Sequence, residues 1–196
     1  MKRSPLYAGL DCLPMGEGCE AYEGYFPSEN RTRVLHLNSN NLTDVEGLAS
    51  LRHVGSQFQL HSNNLTSVQG LRSLREVGSH FRLYGNDLET LDGLGSLTSV
   101  GQDFALYSND LVDISALGNL NEVGRNFYLH NNPRLADLSP LSNLQTLGDS
   151  TTIRFDAGIH EREGFVPIQG GALCETSAAA KFDDNTNYAT QADVCQ

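Results

Sequence analysis

Residues 81–91 read "FRLYGNDLETL", and the same frame recurs as "FQLHSNNLTSV" (58–68) and "FALYSNDLVDI" (104–114). Phe, Leu, Asn and Leu hold their places while the residues between them change. Aligned on the Asn, residues Asn40, Asn63, Asn86, Asn109 and Asn132 stand 23 apart, and Asp156 follows after 24. Leu42, Leu65, Leu88 and Leu111 come two residues later, and Leu135 does so after an insertion at Pro133. Upstream lie the pairs Leu35/Leu37, Phe58/Leu60, Phe81/Leu83, Phe104/Leu106 and Phe127/Leu129. Downstream each unit adds three apolar residues, Leu48, Leu51 and Val54 in the first and Leu141, Leu144 and Leu147 in the last. A Gly follows the third of them every time, at Gly55, Gly78, Gly101, Gly124 and Gly148.

The apolar-x-apolar pair has a period of two, that of a short strand with one face buried. The downstream spacing of three fits a 3₁₀ turn or a turn-rich leg, because a 3.6-residue helix would drift off the stripe. One such unit cannot bury its own apolar edge, whereas a stack of units can. Phe58, Phe81, Phe104 and Phe127 are expected to stack as an aromatic spine. The recurring Asn both donates and accepts, so it can satisfy backbone groups of adjoining turns. The Gly column implies either a positive-φ turn or close backbone packing between coils.

These residues resemble the leucine-rich-repeat pattern L-x-x-L-x-L-x-x-N-x-L across about 34 to 156. "LADLSPLSNLQTL" (135–147) is similar to the short repeats of bacterial internalins, and "GLRSLREVGSHFRL" (70–83) to receptor L domains. Both families are extracellular binding proteins, and the resemblance implies that role here. The expected fold is an α/β-type solenoid of about six coils. It would be a right-handed superhelix with a parallel sheet on its concave face and short 3₁₀ or turn legs on the convex side. An N-terminal cap is expected over 1–33, the array over 34–156 and a C-terminal cap over 157–196, together one structural domain.

The bulk properties narrow the field. A net charge of −11 makes nucleic acid and anionic membranes poor partners. No apolar run approaches the ~18 residues of a transmembrane helix. The four cysteines, Cys12, Cys19, Cys174 and Cys195, show no zinc spacing. Their simplest arrangement is two local disulfides, Cys12–Cys19 and Cys174–Cys195, although three pairings are open. Disulfides imply an oxidising compartment, hence an extracellular or cell-surface location. The opening "MKRSPLYAGLDC" lacks an apolar segment and is not a signal peptide. That location therefore requires a leader outside this chain; otherwise the cysteines are reduced thiols. Asn30, Asn41 and Asn64 begin glycosylation sequons, two of them one repeat apart.

No catalytic constellation emerges, and no enzyme activity, cofactor or metal is expected. "GIHEREGF" gathers His160, Glu161 and Glu163 but has no second His for a zinc motif, so it reads as a surface charge cluster. "DDNTNYATQAD" places Asp183, Asn185 and Asn187 alternately, yet Val194 stands where a calcium loop needs Glu. His61 and His130 lie three coils apart, about 14 Å, too far to share an ion.

The variable positions are the better candidates. Between the two strand apolar residues runs a column of His36, Gln59, Arg82, Ala105 and Tyr128. After the second apolar residue runs another, Asn38, His61, Tyr84, Tyr107, His130 and then Arg154. A third reads Asn41, Asn64, Asp87 and Asp110. All are expected to point away from the core. Tyr and Arg are favoured at binding hot spots. The expected ligand-binding set is therefore His61, Arg82, Tyr84, Asp87, Tyr107, Asp110, Tyr128 and His130. The ligand would be a protein or a glycan, with basic or hydroxyl groups near Asp87 and Asp110. An alternative is a structural subunit of a surface layer, sheath or filament that binds copies of itself. Tyr and other β-formers also suit exposed strands without any ligand.

Overall fold

The computed structural model describes residues 31–148, 152–156, 159–175 and 189–195. Each coil contributes two parallel strands of two residues, and the coils stack so that like strands pair with like. The Leu/Phe strands are β2 (Leu35–His36), β4 (Phe58–Gln59), β6 (Phe81–Arg82), β8 (Phe104–Ala105), β10 (Phe127–Tyr128) and β12 (Ile153–Arg154). They form one six-stranded sheet. The second comprises β1 (Arg31–Thr32), β3 (His53–Val54), β5 (Glu76–Val77), β7 (Ser99–Val100), β9 (Glu122–Val123) and β11 (Thr146–Leu147), also six strands.

The period of two fixes what goes inside. Phe58, Phe81, Phe104 and Phe127 are fully buried and stack face to face, with centroids 5.0, 5.4 and 5.7 Å apart. Phe155 ends the spine edge-on to Phe127 at 6.1 Å. Truncating one such ring costs about 3–5 kcal/mol.

The Asn residues form the expected ladder at four positions. Asn63, Asn86, Asn109 and Asn132 are buried. Asn109 Nδ2 donates to Leu106 O of its own coil at 2.9 Å and to Leu83 O of the preceding coil at 3.2 Å. Its Oδ1 accepts from Leu88 N at 3.4 Å. Asn40, at the start of the ladder, is only half-buried and donates to Asn38 O instead. At the other end Asp156 accepts from the Asn131 and Asn132 backbone amides.

The return leg differs from the expectation in that it is not simply a turn-rich path: it carries the second sheet. Of the two readings of its Gly column, positive φ or close packing between coils, the structure shows close packing. Gly101 N donates to Val77 O at 2.8 Å, and a Cβ on Gly101 would collide with the carbonyl oxygen of Gly78. The same collision repeats at Gly78, Gly124 and Gly148. Left-handed backbone lies just before the ladder, at Ser39, Ser62, Gly85, Ser108 and Asn131. There a sharp turn redirects the chain inward after β2, β4, β6, β8 and β10.

The legs contain 3₁₀ turns at Glu46–Leu48, Gln69–Leu71, Ser115–Asn119 and Ser139–Asn143. A side-chain oxygen two residues ahead accepts from a backbone amide at the start of each, as Asp113 Oδ1 does from Ser115 N at 2.7 Å. Among the described residues the coils carry these 3₁₀ turns and no α-helix; the one α-helix, Gln191–Val194, lies beyond the array.

Residues beyond the array join the same apolar core through Ile159, Ile168, Leu173, Ala189 and Val194. Arg162 anchors this segment: Nη2 meets Asp156 Oδ2 at 2.9 Å, and Nη1 donates to the carbonyls of Asn132 and Leu135. The Cys174–Cys195 disulfide is present, with a Cα separation of 5.6 Å. Cys12, Cys19, Asn30 and the Asp183/Asn185/Asn187 loop lie outside the described residues.

Candidate functional site

The outward side of the first sheet is built by strand alternation. With Phe81 and Leu83 pointing in, His80, Arg82 and Tyr84 point out, and the parallel register repeats this in every coil. The face is therefore ordered in columns.

The column after the second apolar residue forms one continuous ring stack. His61 packs on Tyr84 with centroids 4.4 Å apart, Tyr84 on Tyr107 at 4.4 Å and Tyr107 on His130 at 4.9 Å, all within 9° of parallel. All four side chains are half-buried. Their ring faces are largely given to one another, which leaves ring edges and hydroxyls toward solvent. Burial and the neighbouring Tyr84 push the Tyr107 phenol up to about 12, since its anion would be poorly solvated there. Burial, with Arg82 and His36 nearby, holds the His61 imidazole below its ordinary value.

The adjacent column runs His36, Gln59, Arg82, Ala105, Tyr128 and Arg154 by strand register. Arg154 is thus corrected: it pairs with Tyr128 and does not follow His130. Its guanidinium lies over the Tyr128 ring at 5.0 Å, a cation–π arrangement. The register step from β10 to β12 lengthens between Phe127 and Ile153, which a fixed repeat length misses. Tyr128 stands edge-on to both Tyr107 and His130. Ala105 keeps its place in this column but is only 4% exposed, so it offers a partner little surface.

A third outward column escaped the sequence reading. Gln57, His80, Asp103 and Asn126 sit one residue before each Phe. His80 Nδ1 lies 2.9 Å from Asp103 Oδ2, Asn126 Nδ2 donates to Asp103 Oδ1 at 2.8 Å, and Arg82 Nη2 approaches the same carboxylate at 3.9 Å. Strand alternation placed these residues on this side, so the signal was available at that offset.

The structure therefore brings together His61, Arg82, Tyr84, Tyr107, Tyr128 and His130. Asp87 and Asp110 are exposed and lie beyond the turn, at the rim of the face. Asn41 and Asn64, in the same rim column, are exposed too. Among the described residues no cluster of metal-ligating side chains occurs, and no helix is long and apolar enough to cross a membrane. Glu161 and Glu163 bear side chains toward solvent. Compared with known protein families and with curated proteins, the chain matches none.

Proposed function

We propose that this chain is a leucine-rich-repeat recognition module that works outside the cell and binds a protein or glycan through the outward face of its first sheet. The carrying observation is the unbroken ring column His61–Tyr84–Tyr107–His130 beside Arg82 and Tyr128. The inward columns repeat Phe and Asn because stacking requires them. The outward columns vary, and the variation concentrates residue types that dominate binding hot spots. The Cys174–Cys195 bond supports an oxidising compartment.

The test is to probe arrayed glycans and extracellular proteins with the labelled chain. A Tyr84→Ala/Tyr107→Ala variant is expected to stay folded and to lose the wild-type ligands. A Glu76→Ala/Glu122→Ala variant on the second sheet is expected to keep them. Unchanged binding by the tyrosine variant would sink the proposal.

A further inference from the structure

We propose that the Cys174–Cys195 bond is a redox latch: a dithiol that opens it releases the segment 189–195 from the end of the array and leaves the coils folded. The described residues beyond the coils form two layers, and the bond fastens the outer one to the inner one. The inner layer, 159–175, is held on the array at several points without help from the bond. Arg162 grips Asp156 and the carbonyls of Asn132 and Leu135. Val166 N donates to Ala136 O at 3.0 Å, and Val166 O accepts from Leu138 N at 2.9 Å. Ala172 N donates to Leu144 O at 2.6 Å, and Gln169 N to Ser142 Oγ at 3.1 Å.

The outer layer is slighter. It holds the four-residue helix Gln191–Val194, closed by a capping box between Thr190 and Asp193. One helical turn is not stable on its own. The layer buries two small apolar side chains, Ala189 and Val194. Ala189 N reaches the array by donating to Phe155 O at 3.0 Å. On the inner layer, Ile168 N donates to Val194 O at 2.8 Å, and Gln191 Nε2 donates to the carbonyls of Leu173 and Glu175 at 2.8 and 2.7 Å. The disulfide joins residues 21 apart and so removes much of the entropy that the segment would otherwise lose on docking. Opening the bond therefore acts on the outer layer first, as a local event. Both cysteines are partly exposed, so a thiolate can reach the bond. It attacks one sulfur and forms a mixed disulfide, and the second thiol of the reagent then displaces the protein. Cys174 and Cys195 take up two electrons and two protons as thiols, and the dithiol becomes a disulfide. Once 189–195 leaves, Ile168 N loses its acceptor. The core that Ala189 and Val194 share with Ile159, Ile168 and Leu173 then opens to water, with an unpaired strand edge beside it.

The experiment follows hydrogen exchange by mass spectrometry in the full chain, oxidised and in dithiothreitol. In the dithiol, exchange at Ile168 and across 189–195 is expected to quicken about tenfold or more, since the loop constraint is gone and few ties remain. Array amides such as Leu60 and Leu83 should keep their oxidised rates, and so should Val166 and Ala172 in the inner layer. Reoxidation should restore the slow exchange. Cys12 and Cys19 meet the same reagent, so Cys174→Ser/Cys195→Ser isolates the effect and should behave as the reduced chain does. Unchanged exchange over 189–195 after full reduction would overturn the inference. So would array or inner-layer amides that quicken together with 189–195, or a bond that the dithiol opens only when the coils unfold. A Ser variant that does not fold would overturn it too, because the bond would then be a staple of the whole domain.

Discussion

The two sheets are made from the same coils by the same parallel pairing, yet they tolerate change differently. In the second sheet backbone presses on backbone: Gly78, Gly101, Gly124 and Gly148 leave no room for even a methyl group before the preceding carbonyl. In the first sheet the inward side is equally strict, filled by the Phe spine. Its outward side is occupied by side chains that touch one another in columns and differ from coil to coil. The outward side chains of both sheets are thus where the coil leaves residues free to vary, and only in the first sheet do they stack into a continuous ring column.

That contrast can be broken at graded cost. Phe104→Ala removes a fully buried ring with two stacked neighbours and is expected to lose about 3–5 kcal/mol, read by denaturant unfolding. Gly101→Ala, a single methyl group, is expected to lose about 1–3 kcal/mol because the backbone of two coils must separate. An unchanged unfolding midpoint there would mean that the second sheet is not the tight contact described. Asn109→Ala leaves buried backbone groups of two coils without their partner and should cost a similar 1–3 kcal/mol, about the penalty of unsatisfied polar groups. Glu76→Ala on the second sheet removes a half-exposed contact with His53 and should change stability by less than about 1 kcal/mol.

The smallest effect sharpens the comparison from the outward side. Tyr107 should ionise at about 12, later than an ordinary tyrosine, and a late phase in the ultraviolet titration should vanish in Tyr107→Phe. The raised value means that the folded state holds its proton longer than the unfolded state does. Its contribution to stability is therefore intact below the ordinary value of 10 and is lost as pH rises from there through about 12.

Much of the interior was legible because side-chain identity carries it. The Phe spine, the four-rung Asn ladder and the ring column each require the same residue type, or a narrow class, at a fixed interval. The second sheet was hidden because each of its strands offers at most one apolar residue and no apolar-x-apolar pair to mark a face, the next residue along being Gly in five of the six. The left-handed column was hidden for another reason: Ser39, Ser62, Gly85, Ser108 and Asn131 share a conformation and not a composition. The Arg162–Asp156 anchor and the shifted register at Arg154 occur once each, where no repeat can expose them. Asp103 lay in plain view, one position before Phe104. Its role emerges only when His80 and Asn126 of adjoining coils are placed beside it.

The division between a structural inside and a free outside is tested most directly by denaturant unfolding of two double variants in the same coils, Tyr84→Ala/Tyr107→Ala and Phe81→Ala/Phe104→Ala. The inward pair should abolish cooperative folding, at about 3–5 kcal/mol for each ring. The outward pair loses three ring contacts worth about 0.5–1.5 kcal/mol each, so it should still unfold cooperatively at a lowered midpoint. If the outward variant also failed to fold, the tyrosine column would be part of the scaffold, and the claim that this face is free for a partner would be contradicted.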